Sequence, residues 1–334
     1  CAQDGYGIWA FAPYVAPDIN HNTITGCAVG LTAFGGPEGG APIPTTSFTD
    51  NEVDGTGAVV TPPYASVGAY LTTSVVGFND TPNKVFFADN YIHDNDYGIY
   101  TEETNGKTLD VQAHKNAIVN NVSVGLDSSL QTSGVSDFTN HWWGCNEGPW
   151  DNVGPNNSPN CDSEIGDAVV DPWLQLTVTA SPNTIAPSPN PPDDTSTITS
   201  SFNMNSDGDD VGPGLPEQPL SYTTTSGTLT PGVYPVDTVN GTNSQTLTAG
   251  PTAIPITVTA TSGAQATPVT LNIAGDVTVN NHTGSDTGPP DSDCGNPDFN
   301  NIADAVSSVS DGSNVYVCDG NYVDDHSVVT ADIS

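Results

Sequence analysis

Asn90-Tyr91-Ile92-His93-Asp94-Asn95-Asp96-Tyr97-Gly98-Ile99 is the stretch whose reading decides the fold. Asn22, Ile24, Cys27, Gly30 and Leu31 repeat its pattern at identical offsets. Asn116, Ile118, Asn121, Gly125 and Leu126 repeat it with one extra residue. Asn90 to Asn116 is a step of 26 residues, and a similar step leads to Asp137-Phe138-Thr139-Asn140. Alternating apolar and polar residues give each short segment one inward face, as in a strand. Asn tolerates the left-handed backbone of a turn and can stack into a hydrogen-bonded ladder. Gly before Ile or Leu permits the next tight corner. A period in the mid-twenties, built of short strands and turns, predicts a solenoid. A β-sandwich with similar turns is the competing reading.

These residues resemble the repeat of the right-handed parallel β-helix, the pectate-lyase-like superfamily. Asn140-His141-Trp142-Trp143-Gly144, through Gly148-Pro149 to Val170-Asp171-Pro172-Trp173-Leu174, is similar to the terminal motif of such helices. There the large aromatics would close the open end. The resemblance covers about half the chain and implies a fold rather than an activity. It also gives Cys1 and Cys27 a meaning. Cys27 falls where Asn95 and Asn121 fall, and Cys1, followed by Gly5-Tyr6-Gly7-Ile8, reads as that position one coil earlier. Adjacent coils lie about 4.8 Å apart, inside the usual Cα range for a disulfide. A Cys1–Cys27 bridge between stacked coils is therefore expected, with a chain that starts in the middle of a solenoid. Close sequence pairing suggests Cys145–Cys161 and Cys294–Cys318 for the other four of the six cysteines.

The segment between Gly35 and Pro63 breaks the period and reads as a long excursion from one coil. Its acids are Glu38, Asp50, Glu52 and Asp54. From Leu174 the character changes. Strand patterns at Leu174–Ala180, Ser196–Met204, Leu220–Thr224, Ser244–Leu247, Ile254–Thr261 and Val269–Ile273 suggest an immunoglobulin-like sandwich. Ser221 to Pro231 and Ile256 to Thr261 resemble bacterial Ig-like domains of the invasin and intimin type. A polar Gly/Pro/Asp/Thr stretch follows. Then Ile302, Ala305, Val306 and Val309 fall on one helical face, ahead of the strand pattern Val315 to Cys318. This resembles the beginning of a β-helix, a cap helix with its first coil. The expected architecture is thus all-β: a right-handed parallel β-helix joined to an Ig-like β-sandwich, with the N-terminal cap of a further β-helix at the C-terminus. The expected divisions are 1–173, 174–275, a linker 276–293, and 294–334.

The 334 residues include 3 Lys, no Arg and 39 acids, a net charge of −36. Nucleic acid needs a basic footprint that three lysines cannot supply. An anionic membrane surface would repel the chain, and no apolar run approaches a membrane span. Partners expected from composition therefore exclude nucleic acid and membrane insertion. The chain begins at Cys1 and its only methionine is Met204, so it reads as a processed chain or a segment. An N-terminal cysteine also suits a lipoprotein. An even cysteine count in a Lys-poor, Thr/Ser/Asn-rich chain points to an oxidising, extracellular or cell-surface setting. Asn79, Asn121, Asn156, Asn240 and Asn281 begin N-x-S/T sequons and are candidate glycosylation sites.

The resemblance implies polysaccharide cleavage as one activity. Lyases of this fold need a basic residue, and Lys84, Lys107 and Lys115 match no family motif. Hydrolases of this fold use clustered aspartates. Asp94 and Asp96 beside His93 are the sharpest such pair, yet they flank Asn95, where solvent-facing turn residues belong. The six histidines show no HxH or HExxH spacing, which points away from zinc. Asn203, Asn205, Asp207 and Asp209, with Gly208, place oxygens at alternate positions as in the first half of a calcium loop. The twelfth position is Gly214, where a bidentate Glu is required, so a plain hairpin loop competes with a Ca2+ site. Trp9, Tyr14, Tyr91, Tyr97 and Tyr100 suit either a sugar-stacking surface or packing in turns. The expected function is an extracellular structural and adhesive protein without enzymatic activity. Copies of itself would be its partners, in a head-to-tail filament where the C-terminal segment completes the next β-helix. A polysaccharide-binding or polysaccharide-cleaving protein is the alternative.

Overall fold

The computed structural model describes residues 1, 3–37, 42–62, 65–75, 78–150, 161–189, 191–251, 254–275, 277–279, 302–308 and 315–318. Fifteen short strands come first. They are β1 (Tyr6–Phe11), β2 (Asp18–Asn20), β3 (Thr23–Thr25), β4 (Val29–Phe34), β5 (Thr45–Thr49), β6 (Glu52–Asp54), β7 (Val67–Thr72), β8 (Asn83–Ala88), β9 (Tyr91–His93), β10 (Tyr97–Glu102), β11 (Leu109–His114), β12 (Ala117–Val119), β13 (Val124–Leu130), β14 (Ser136–Thr139) and β15 (Glu164–Ile165). They pair in steps of three, except for the final step from β13 to β15, in the orders β1-β4-β7-β10-β13-β15, β2-β5-β8-β11-β14 and β3-β6-β9-β12. All of these pairs are parallel. Three strands therefore make one coil, and the coils stack as a parallel β-helix.

The inward face is built from columns of like residues. Ile8, Leu31, Ala69, Ile99 and Leu126 lie in register along the first sheet. Ile19, Phe48, Phe87, Ala113 and Phe138 do so along the second. Ile24, Val53, Ile92 and Ile118 do so along the third. Leu31, Phe48, Phe87, Ile92, Ile99, Ile118, Leu126 and Phe138 are wholly buried. Each such Leu, Ile or Phe stabilises the fold by roughly 1.5–3 kcal/mol.

The corners carry two ladders. In the first, Asn51 donates from Nδ2 to Asn90 Oδ1 at 2.9 Å, and Asn90 donates to Asn116 Oδ1 at 2.9 Å. Asn22 begins it and His141 ends it, with Nδ1 accepting from the Asn116 backbone N–H at 3.0 Å. Each ladder residue follows one in left-handed backbone: His21, Asp50, Asp89, Lys115 and Asn140 all have φ between 54° and 57°. In the second ladder Asn95 donates to Asn121 Oδ1, and Asn121 donates to Asp162 Oδ2 at 2.6 Å. Cys1 bonds Cys27 across adjacent coils with Cα atoms 4.8 Å apart, and Cys145 bonds Cys161. Cys318 is also disulfide-bonded; Cys294, its expected partner, lies outside the described residues.

Two expectations need correction. The stretch from Gly35 to Pro63 is not one excursion, because it contains β5, the ladder residue Asn51 and β6. The weakened signal is the loss of Ile: Asn51-Glu52-Val53-Asp54-Gly55 carries the repeat without its usual apolar pair. The fifth copy is also shifted by one. Asn140 takes the left-handed position (φ 57°), and His141 takes the ladder position.

After β15 the pairing becomes antiparallel through residue 273, except that β17 pairs with β24 in parallel. β16 (Leu174–Ser181), β18 (Thr195–Asn205), β22 (Thr242–Thr248) and β20 (Thr228–Thr230) form one sheet. β17 (Thr184–Ile185), β24 (Gln265–Ile273), β23 (Ile256–Ser262), β19 (Pro219–Thr224) and β21 (Val236–Asp237) form the other. Alternation packs Leu176, Ile198, Phe202, Leu247, Val258 and Leu271 between them. Ala117, Val119 and Trp142 of the β-helix join this core, so the two units share a packed joint. Further on, β25 (Val277–Val279) pairs in parallel with β26 (Val315–Val317). The helix α1 (Ile302–Ser308) packs Ala305 and Ile302 against Val279 and Val315.

Candidate functional site

The sheet that begins with β1 presents an aromatic outer face. The residue two positions after each corner glycine points outward, and the strands align Trp9, Thr32, Tyr70, Tyr100 and Asp127 in one row. A flanking row aligns Phe11, Phe34, Thr72, Glu102 and Leu130. Rings touch from coil to coil. Centroids lie 6.0 Å apart for Trp9 and Phe34, 6.1 Å for Phe34 and Tyr70, and 5.6 Å for Tyr70 and Tyr100. Phe34 is buried beneath its neighbours, whereas Trp9 is 57% exposed and Tyr6, Phe11 and Phe78 are also exposed. An isolated exposed aromatic is ordinary, but the exposed rings of Tyr6, Trp9, Phe11 and Phe78 touch in series, and such a patch points to an interaction surface.

Tyr6, Tyr70, Tyr97, Tyr100, Glu102 and Asp127 line an open groove of about 820 Å³ on this face. The Tyr70 hydroxyl donates to the Glu102 carboxylate. Burial first, then that carboxylate, holds the hydroxyl well above its usual range. The groove thus offers flat rings, fixed hydroxyls and acceptor carboxylates. Sequence reading had Trp9, Tyr97 and Tyr100 but missed Tyr6, Phe11, Phe34, Tyr70, Glu102 and Asp127. The signal was present as the second residue after Gly7, Gly68, Gly98 and Gly125. Tyr91 lies elsewhere, packed against the sandwich core. Tyr14 is exposed.

A second cleft, of about 510 Å³, opens where the β-helix meets the sandwich. Its walls include His21, Asp50, Glu52 and Tyr91 on one side, with Glu217 and Asp237 on the other. Beside it, Asp54, His93 and Asp94 place ligand-type atoms within 4.8 Å of one another. Tyr91 is pushed up to about 12 by burial and then by Asp94, Glu52, Asp237 and Asp54. Asp94 and Asp96 flank the buried Asn95 and have different partners. Asp94 bonds His93, whereas Asp96 Oδ2 accepts from the Ser66 N–H at 2.8 Å.

The Asn203–Asp209 hairpin is organised by Asn205. Its Oδ1 accepts the backbone N–H groups of Asp207 and Asp209 at 3.1 and 2.9 Å, and its Nδ2 donates to Asn140 Oδ1. That oxygen is committed to closing the loop. Asn203 Oδ1 is buried without a hydrogen-bond partner, and Asp207 and Asp209 are exposed. Of the four expected ligands, Asn205 is therefore engaged inside the loop itself.

Among the sequons, Asn79 and Asn240 are exposed. Asn121 corrects the sequence reading. It is buried, and its amide nitrogen donates to Ile92 O and Asp162 Oδ2, so folding withdraws it from modification. Asn156 and Asn281 lie outside the described residues.

No protein-family model matches the chain, and no curated protein matches it. Among solved structures, the adhesin InvE of Yersinia pseudotuberculosis is similar, at 22% identity with a TM-score of 0.23. The likeness covers 32% of this chain and 32% of that one. The class defined by the fold is a parallel β-helix joined to an antiparallel sandwich and held by disulfides. No helix among the described residues is long and apolar enough to cross a membrane.

Proposed function

We propose that this protein is an extracellular structural and adhesive protein that holds a polysaccharide on the aromatic face of its β-helix. The observation that carries this reading is the row Trp9, Tyr70 and Tyr100 with Glu102 and Asp127 at its side. Sugar rings stack their C–H faces on aromatic planes while hydroxyls bond to carboxylates, and the groove offers both at fixed spacing. The disulfides suit an oxidising compartment. The net charge of −36 disfavours acidic polymers, so the ligand is a neutral glycan, bound and not cleaved. Retention of the protein on immobilised neutral polysaccharides tests this, with uronate polymers as the comparison.

A second reading adds self-assembly. The strands β1, β2 and β3 form the outermost coil, and each is the terminal strand of its sheet. Parallel edges of this kind favour pairing with further strands. The parallel pair β25 and β26, covered by α1, is the element we assign to that edge in another copy, as the Ig-like unit's successor and a β-helix cap. The contact is heterologous and gives a filament. Light scattering and electron microscopy of purified protein test it; a monodisperse monomer at every concentration overturns it.

A further inference from the structure

Glu52, Asp54, His93 and Asp94 meet on the outer face of the sheet containing β6 and β9, although Asp54 and His93 are separated by 39 residues. The coils stack them, because Asp54 and His93 are register partners. We propose that His93 Nδ1, with the carboxylates of Asp54 and Asp94, holds a divalent transition-metal ion that bridges two successive coils.

The imidazole is fixed before any ion arrives. Its ring stacks on Tyr91 with centroids 4.1 Å apart, and its side chain is 11% exposed. Glu52 Oε1 lies 3.4 Å from Nε2, which is buried and makes no hydrogen bond. Glu52 near the outer nitrogen helps to orient the ring, an arrangement common behind metal-bound histidines. Nδ1 is hydrogen-bonded to Asp94 Oδ2 at 2.7 Å, and Asp54 Oδ1 lies 4.0 Å from it. A metal ion bound here would displace the proton between His93 and Asp94 and draw in the second carboxylate, Asp54.

Metal bonds of about 2.0–2.2 Å put neighbouring ligand atoms roughly 3–3.6 Å apart. Asp54 would move inward and Asp94 outward by less than about 1 Å. Asp94 is exposed and free to adjust. Asp54 is already positioned, with Oδ1 accepting the Thr56 N–H at 2.8 Å. One imidazole with two carboxylates suits zinc, cobalt or manganese, whereas calcium takes oxygen alone. The ion would lie on the same corner of the solenoid as the Cys1–Cys27 bridge and tie β6 to β9 as that bridge ties the first two coils.

The test uses the whole chain, stripped with chelator and titrated with Zn2+ by calorimetry, with Co2+ as the spectroscopic probe. The expected result is one Zn2+ per chain, a higher melting temperature, and a visible Co2+ band that Zn2+ abolishes. His93→Gln and Asp54→Asn should each weaken binding by about tenfold or more, with unchanged far-ultraviolet circular dichroism. Asp18→Asn, an exposed acid on β2, should leave zinc affinity unchanged. Absence of a Co2+ band in the wild-type chain overturns the proposal, as does zinc affinity that survives His93→Gln. Should either variant fail to fold, the wild-type Co2+ band and its displacement decide.

Discussion

Trp142 and Trp143 are adjacent in sequence, wholly buried, and face two different hydrophobic cores. Trp143 packs with Leu126, Phe138 and the rest of the β-helix interior. Trp142 packs into the sandwich core, its ring 4.8 Å from that of Phe202. Just beyond them, Asn146 bonds Leu176 through both side-chain atoms, at 3.0 and 2.7 Å, and Gln265 through its backbone N–H. The corner that ends the described ladder is thus also the joint between the two units.

Trp142→Ala should therefore weaken the joint by about 3–5 kcal/mol. It should split one calorimetric unfolding transition into two. Trp143→Ala should cost a similar amount but lower the β-helix transition alone. A single transition retained in Trp142→Ala would show that the joint does not couple the units.

The ladder ends give opposite pH dependences. Burial, with His114 adding, pushes His141 down to about 3, so it is neutral in the fold. Between its ordinary value and that one, the unfolded chain binds the extra proton. Stability from this site is full above about pH 6.5 and falls as pH drops toward 3. Asp162 is pushed up to about 7, chiefly by burial against the hydrogen bonds it accepts from Asn121. Its folded form holds the proton that the unfolded form releases, so stability falls as pH rises from about 4 toward 7. His141→Asn should remove the acid sensitivity, and Asp162→Asn should raise the melting temperature at pH 8 more than at pH 5. Melting curves across that range check both signs.

Much of this fold was legible because stacking repeats a local chemical need. A left-handed residue followed by Asn, an Ile two places on, and Gly before the next apolar residue recur in Asn90 to Ile99 as the structure uses them. The coil around Asn51 was hidden because Val53 alone fills the inward position and Glu52 and Asp54 mask the alternation. The functional faces were less legible for a different reason. Tyr70 meets Tyr100, and Asp54 meets His93, only after the register between coils is set. No spacing within one coil carries that information. The hairpin at Asn205 illustrates a third limit: its calcium-like spacing also serves to close a turn through Asn205 Oδ1.

The acidic charge predicts a salt response. Going from about 0.01 M to about 1 M salt shortens the screening length from ~30 Å to ~3 Å, which relieves repulsion within a chain of net charge −36. The melting temperature should rise, and any assembly should loosen on desalting or chelation. At matched ionic strength, Ca2+ should add a further increment that Asp207→Asn and Asp209→Asn abolish. An identical response to Na+ and Ca2+ would remove calcium from the account.

The most direct measurement is binding of neutral polysaccharides to the wild-type chain and to Trp9→Ala and Tyr100→Ala, by affinity electrophoresis. Both residues are surface rings on one row. Loss of each stacked ring should weaken retention by roughly 1–2 kcal/mol, about five- to thirtyfold, without lowering the melting temperature by more than a few degrees. Retention by wild type that both variants lose supports the adhesive face. No retention on any neutral polysaccharide, or retention unchanged in both variants, would contradict it.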